Sequence, residues 1–232
     1  MRTPYGEIPE DDIEALDFRL GWYLRYGNLP TATRRDTATA KVDYGFQYER
    51  FVGHLFEEHG FAVRYHGIRH GVEDGGIDLI ARAPRKIRLI QCKRWRQPVS
   101  ADVISRLQGA VERFRWEERQ GKPAVSRTSI CGVLATSGPV EASALALARH
   151  LGLYVMASLP YRPYPAIKAQ RIIPDAGRFL LPGTAAYDRM VITPAHGDRF
   201  FATVREALAN AFYYPPYHQD ILASIYRKRA KN

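Results

Sequence analysis

The chain has 232 residues, 46% hydrophobic and 25% charged, enough apolar material to bury a core in one or two globular domains. No apolar run reaches the roughly 20 residues that cross a bilayer, and the start Met1-Arg2-Thr3-Pro4-Tyr5-Gly6-Glu7 has no apolar signal-peptide core, so a cytoplasmic protein without membrane association is expected. A formal net charge of +10 points to a polyanion, because neutralised phosphates release condensed counterions, although charge alone leaves a basic protein without such a partner equally open.

Residues 9–26 begin with the acids Glu10, Asp11 and Asp12 and continue with Ile13, Leu16, Phe18, Leu20, Trp22 and Tyr23 at helical spacing. The stretch 29–39 lacks periodicity and reads as a linker. A second amphipathic helix is predicted over 44–59, with Phe46, Phe51, Val52, Leu55 and Phe56 on one side and Gly60 placed to stop it. Residues 61–65 read as a strand that leads through a glycine-rich loop, 71–76, into two further strands, 77–82 and 87–95. A long helix is expected over 101–120, a buried strand over 129–137, an Ala/Leu helix over 140–151 and a short strand over 153–157. This order predicts an α/β fold with a mixed sheet flanked by helices. Cys92 and Cys131 fall inside strands among branched apolar residues, which suits buried free thiols in a reducing compartment and excludes a cysteine zinc site.

The two strands 77–82 and 87–95 are separated by Ala83-Pro84-Arg85-Lys86, a tight-turn sequence. With Pro84 and Arg85 as the turn residues, Ala83 pairs with Lys86 and Asp78 falls opposite Gln91. Strand side chains alternate with period two, so Asp78, Ile80, Leu89, Gln91 and Lys93 then share one face, apolar at the turn end and polar at the other. A slip of one residue would carry Asp78 to the opposite face from Gln91 and Lys93.

The run Asp74-Gly75-Gly76-Ile77-Asp78, followed by Gln91-Cys92-Lys93, resembles the PD-(D/E)xK nuclease superfamily and, within it, the Mrr-like restriction endonuclease family. The resemblance covers roughly residues 43–158. It implies a Mg²⁺-dependent endonuclease, with Mn²⁺ as a possible substitute, acting on double-stranded DNA in restriction, defence or mobile-DNA processing. By that resemblance Asp78 is a metal ligand, Gln91 stands where many members carry a second carboxylate, and Lys93 sits beside the scissile phosphate. Glu49 on the preceding helix would supply the charge that Gln91 lacks. Hydrolysis needs such a set, since hard oxygen donors hold Mg²⁺ and an ammonium stabilises the developing negative charge. Arg94, Trp95 and Arg96 follow the Q-x-K strand and are candidates for nucleic-acid contact, as is His70, with a core-closing Trp95 equally open. His66, Glu73 and Asp74 read more simply as loop residues. Thr136-Ser137-Gly138 offers backbone N–H groups to an anion, or merely starts a helix.

Beyond residue 158 the segments 164–168, 179–183, Tyr187-Asp188-Arg189 and 197–207 resemble a small α+β module appended to bacterial nucleases, read as a strand, a hairpin around Tyr-Asp-Arg and a capped helix. Ala169 replaces its usual glycine, and Phe201-Ala202-Thr203 has no cysteine for a metal. Thr203 and Glu206 form a capping box for a helix over 204–210. Ile221, Leu222 and Ile225 precede the basic group Arg227, Lys228, Arg229 and Lys231, a phosphate grip or a solvated tail. The expected division is therefore 1–40, an N-terminal helix and linker; 41–160, the nuclease domain; 161–215, the small module; and 216–232, the basic tail. Two alternatives stay open, a catalytically weak DNA-binding or assembly subunit and an RNA-cleaving effector, as does a homodimer or partner subunit joined through residues 9–26.

Overall fold

A computed structural model describes residues 2–3, 6–28, 37–70, 75–120 and 128–215. The expected basic tail, residues 29–36 of the linker, and Glu73 and Asp74 lie outside the described residues. The chain forms two compact units, Thr37–Arg162 and a second made of Met1–Asp36 with Pro163–Asn232. No helix among the described residues is long and apolar enough to cross a membrane.

A two-residue ladder of β1 (Arg2–Thr3) and β2 (Gly6–Glu7) precedes helix α1 (Glu10–Tyr26). Glu10, Asp11 and Asp12 occupy the first turn of α1, where the helix dipole favours them, and Ile13, Leu16, Leu20 and Tyr23 form its buried stripe. Gly27 ends the helix at φ 78, a left-handed conformation that costs glycine nothing.

The Thr37–Arg162 unit then runs α2 (Thr37–Glu58), β3 (Ala62–Tyr65), α3 (Gly67–His70), β4 (Leu79–Ala83), β5 (Lys86–Lys93), α4 (Ala101–Arg119), β6 (Ser129–Thr136), α5 (Ala142–His150) and β7 (Tyr154–Met156). Residues 37–39, expected in the linker, are helical. Ala38 and Ala40 are strong helix formers, but that turn carries no apolar stripe for periodicity to detect. The five strands are ordered β3-β4-β5-β6-β7, antiparallel from β3 to β5 and parallel from β5 to β7. Parallel neighbours need crossovers, and α4 and α5 supply them.

Ala83 pairs with Lys86 and Leu79 with Ile90, so the hairpin has the register expected from its turn. Ile80, Ile87 and Leu89 join Val103, Ile104, Leu107 and Val111 of α4 and Ala144 and Ala148 of α5 in one core cluster. The strand face that carries Ile80, Leu89 and Gln91 is therefore the α4–α5 face, while Asp78 stands just ahead of β4. On the other face Tyr65 pairs with Leu79, and Gly53 of α2 lies against the Tyr65 ring, so closely that a Cβ there would stand 2.5 Å from the phenol oxygen. Glycine lets α2 approach the sheet at this point, and it sets which side of α2 faces the strands.

In the second unit β8 (Ile167–Ile173), β9 (Ala176–Leu180), β10 (Arg199–Phe201) and β11 (Phe212–Tyr213) form a sheet ordered β10-β8-β9-β11. Two short helices, α6 (Ala185–Arg189) and α7 (Val204–Ala209), complete it. Tyr187, Asp188 and Arg189, expected in a hairpin, are helical, because Thr184 caps the segment by accepting from the Tyr187 N–H at 3.2 Å. The expected capping box of Thr203 and Glu206 is present. Helix α1 packs on α7, and Asp17 accepts from the Val204 N–H at 3.0 Å. The N-terminal helix, which the sequence reading set apart, thus belongs to the same unit as the C-terminal module.

Candidate active site

Asp78 lies one residue before β4, and its backbone is fixed from both sides. Its N–H donates to the Ile90 carbonyl at 2.9 Å, while its own carbonyl accepts from the N–H groups of His66 at 2.7 Å and Gly67 at 2.8 Å. Its Oδ2 accepts from the Cys92 N–H at 2.6 Å, which holds the carboxylate at the end of β5. Cys92 therefore serves the site through its backbone. Burial pushes its thiol well above its ordinary range, and the carboxylates of Asp78 and Glu49 push it further.

Glu49 reaches the same place from α2. It stands one turn before Gly53 on the side that faces the sheet, and it is as buried as Asp78, each being 8% exposed. The space between them is kept open by Gly67. A Cβ on Gly67 would stand 3.0 Å from Asp78 Oδ1 and 3.1 Å from Glu49 Oε2, so two carboxylate oxygens converge on the volume that a side chain would fill. Gln91, opposite Asp78, is also buried, and its Oε1 has no hydrogen-bond partner among the described residues. An unsatisfied buried amide oxygen costs about 1–3 kcal/mol, and a cation would remove that cost.

No cluster of three His, Cys, Asp or Glu able to hold a metal exists among the described residues. The donor set is instead two carboxylates and an amide oxygen. These are the hard oxygen donors that Mg²⁺ and Mn²⁺ accept, so the residues fit a divalent ion with one fixed anion fewer than a three-carboxylate site.

Lys93 ends β5 on the Gln91 face, half-buried, with its Nζ 5.3 Å from the centre of the Trp95 ring. Trp95 is 43% exposed, so it does not close the core. Its carbonyl accepts from Ser137 Oγ at 3.0 Å, and a Cβ on Gly138 would come within 2.5 Å of that oxygen. The backbone is thus held while the ring faces out. Arg96 is exposed beside it.

Arg94, expected to contact nucleic acid, has its guanidinium partnered within the Thr37–Arg162 unit. Its Nη1 donates to Gln47 Oε1 at 2.6 Å and to the Tyr44 carbonyl at 3.2 Å, and its guanidinium lies over the rings of Tyr44 and Tyr161. That guanidinium is engaged inside the unit, just past the end of β5. The Thr136-Ser137-Gly138 segment offers no anion its N–H groups either. Ser137 N–H donates to the Lys93 carbonyl at 3.0 Å and Gly138 N–H to Thr136 Oγ1 at 3.2 Å. His66 contacts Arg64 through Nδ1 at 3.1 Å; His70 ends α3, and its side chain lies outside the described residues.

Sequence reasoning missed Gly67 and the short helix α3 that it opens. The available signal was a glycine two residues after an alternating strand. It also missed Arg113 of α4, whose Nη2 donates to the Gly75 carbonyl at 3.0 Å and ties down the loop ahead of Asp78.

Residues 41–153 match the family model Mrr_cat, described as a restriction endonuclease. No curated protein matches the chain. Among solved structures, an EndoMS–dsDNA2 complex is 18% identical with a TM-score of 0.40, over 58% of this chain and 51% of that one. A repair endonuclease from Pyrococcus abyssi is 18% identical with a TM-score of 0.33, over 56% and 50%. The MspJI restriction endonuclease in complex with a 27-mer oligonucleotide is 18% identical with a TM-score of 0.33, over 56% and 33%. The chain spans about half the length of the first of these structures.

Proposed function

We propose that the chain, whose residues 41–153 match the Mrr_cat restriction endonuclease model, is a divalent-metal-dependent DNA endonuclease that hydrolyses phosphodiester bonds in restriction, defence or mobile-DNA processing. The observation that carries this reading is the convergence of Asp78 Oδ1 and Glu49 Oε2 on the space left by Gly67. Asp78, Glu49 and the Gln91 carbonyl oxygen would hold Mg²⁺ or Mn²⁺, which supplies charge neutralisation at the phosphate and an acidified water.

The chain's own side chains carry the rest. Lys93, on the same strand face as Gln91, presents an ammonium to the non-bridging phosphate oxygens and stabilises the charge that builds there. Trp95 offers an exposed aromatic surface on which an unstacked base or sugar can rest, and Arg96 pairs with backbone phosphate. The Cys92 N–H would hold Asp78 Oδ2 while Oδ1, beside Glu49 Oε2, would serve as the metal ligand. The substrate in this reading is double-stranded DNA.

The test is nicking of a supercoiled plasmid in Mg²⁺ and in Mn²⁺ by wild type, Asp78→Asn and Lys93→Ala, with RNA offered in parallel at matched salt. Each variant is expected to lose about a hundredfold or more in rate, the scale of removing a preorganised charge-stabilising group. Equal nicking by all three proteins sinks the assignment. Gel retardation of DNA without nicking by the wild type favours a binding subunit instead.

A further inference from the structure

At the far end of the hairpin from Asp78 and Lys93, a cavity of about 570 Å³ opens between the β4–β5 turn, the last turns of α4 and the start of β6. It is roughly 20 Å from Lys93 along β5, at about 3.3 Å per residue. Among the described residues that line it, four are arginines, Arg82, Arg85, Arg115 and Arg119, against a single acid, Glu118. Even with Glu112 counted beside Arg115, the guanidiniums outnumber the carboxylates by two, so the cavity carries net positive charge.

The arginines fall into two pairs. Arg82 is held by Glu118 at 3.0 Å and lies over the Phe114 ring; Arg115 is held by Glu112 at 2.6 Å and donates to the Ile130 carbonyl at 2.7 Å. These two are preorganised walls. Arg85 and Arg119 are exposed, and neither carries an ion pair among the described residues. The α4 terminus offers carbonyls rather than N–H groups here, so any attraction for an anion comes from the guanidiniums alone.

Arg85 gives a second, independent observation. It holds φ 60 in the hairpin turn, a left-handed conformation that glycine or asparagine adopts at lower cost. Its carbonyl accepts from the Ser129 N–H at 2.9 Å, which fixes the strained residue against β6. A bulky cation at the one turn position that favours glycine is a local cost that fold stability does not explain, and such costs gather at ligand sites.

We propose that this cavity is a phosphate-binding site, separate from the candidate active site, in which Arg85 and Arg119 close on a phosphate-bearing anion between the fixed guanidiniums of Arg82 and Arg115. Arginine's planar fork matches phosphate oxygens two at a time, and the volume suits a compact polyphosphate. The same chemistry is offered by a free phosphorylated ligand and by the backbone phosphates of a bound duplex.

The experiment titrates the full chain, in metal-free buffer, with sodium tripolyphosphate by calorimetry and with a labelled DNA duplex by anisotropy. Wild type, Arg85→Gly, Arg119→Ala and Asp78→Asn are compared. Arg85→Gly removes the cation while relieving the turn, so its melting temperature is expected to equal or exceed that of wild type. Its affinity for the phosphate probe is expected to fall about tenfold, the scale of one charged hydrogen bond, with Arg119→Ala similar and Asp78→Asn unchanged for tripolyphosphate. Weakened tripolyphosphate binding identifies a free phosphorylated ligand; weakened duplex binding alone identifies backbone phosphates. Equal affinity of wild type, Arg85→Gly and Arg119→Ala for both probes, or no saturable binding of either, overturns the proposal. Its outcome does not depend on the nuclease reading, because the site shares no residue with the plasmid-nicking assay.

Discussion

Gly67 has no functional group, yet the proposed sharing of an ion by two carboxylates depends on the space it leaves. Its N–H fixes the Asp78 carbonyl, and its missing side chain is the space on which Asp78 Oδ1 and Glu49 Oε2 converge. Substituting Gly67→Ala places a methyl 3.2 Å from the Asp78 Cα as well as against both oxygens. The carboxylates must then give by a few tenths of an ångström, and misplacing groups in a reacting geometry slows the reaction. Plasmid nicking by Gly67→Ala is therefore expected to fall while circular dichroism and melting stay near wild type. Unchanged nicking would show that the two carboxylates do not act together. Arg94 and Trp95 make the complementary point: adjacent in sequence, they diverge, one guanidinium inward to Gln47 and one indole outward to solvent.

Among the elements, the β4–β5 hairpin brings Asp78, Gln91 and Lys93 together, and α2 adds Glu49 from the opposite layer. The hairpin register was legible because a two-residue turn and period-two alternation are local properties, and Ala83 does pair with Lys86. The reach of Glu49, expected from the family resemblance, was not legible from spacing, since it depends on Gly53 meeting Tyr65, residues brought together only by packing. In the second unit, α7 is short enough that its end interactions matter. Thr203 Oγ1 accepts from the Glu206 N–H at 3.1 Å, Glu206 accepts in return from the Thr203 N–H at 3.2 Å, and Asp17 adds a bond to the Val204 N–H at 3.0 Å. Thr203→Ala is expected to cost about 1 kcal/mol, seen as a lower urea midpoint, with plasmid nicking unaffected. No loss of stability would assign the capping of α7 to Asp17 alone.

At the scale of the whole molecule, the net charge of +10 has a consequence separate from any single contact. If the partner is DNA, affinity measured by anisotropy should fall linearly in log-log form with salt, by at least about tenfold between roughly 50 and 200 mM. A flat salt response would count against phosphate contacts as the basis of binding. The chain also folds as two compact units, with the N-terminal helix α1 joined to the C-terminal residues rather than to the segment that follows it. Nothing local in residues 9–26 marks that partner. The apolar stripe of Ile13, Leu16, Leu20 and Tyr23 announces that α1 must be buried against something, and only the tertiary structure supplies α7. By itself the sequence determined the five strands of the Thr37–Arg162 unit, the hairpin register, the capping box and the family resemblance, because turn chemistry and periodicity act between near neighbours. The tertiary structure alone decided the Gly67 space, the inward guanidinium of Arg94 and the partner of α1, because each depends on residues far apart in sequence meeting across layers.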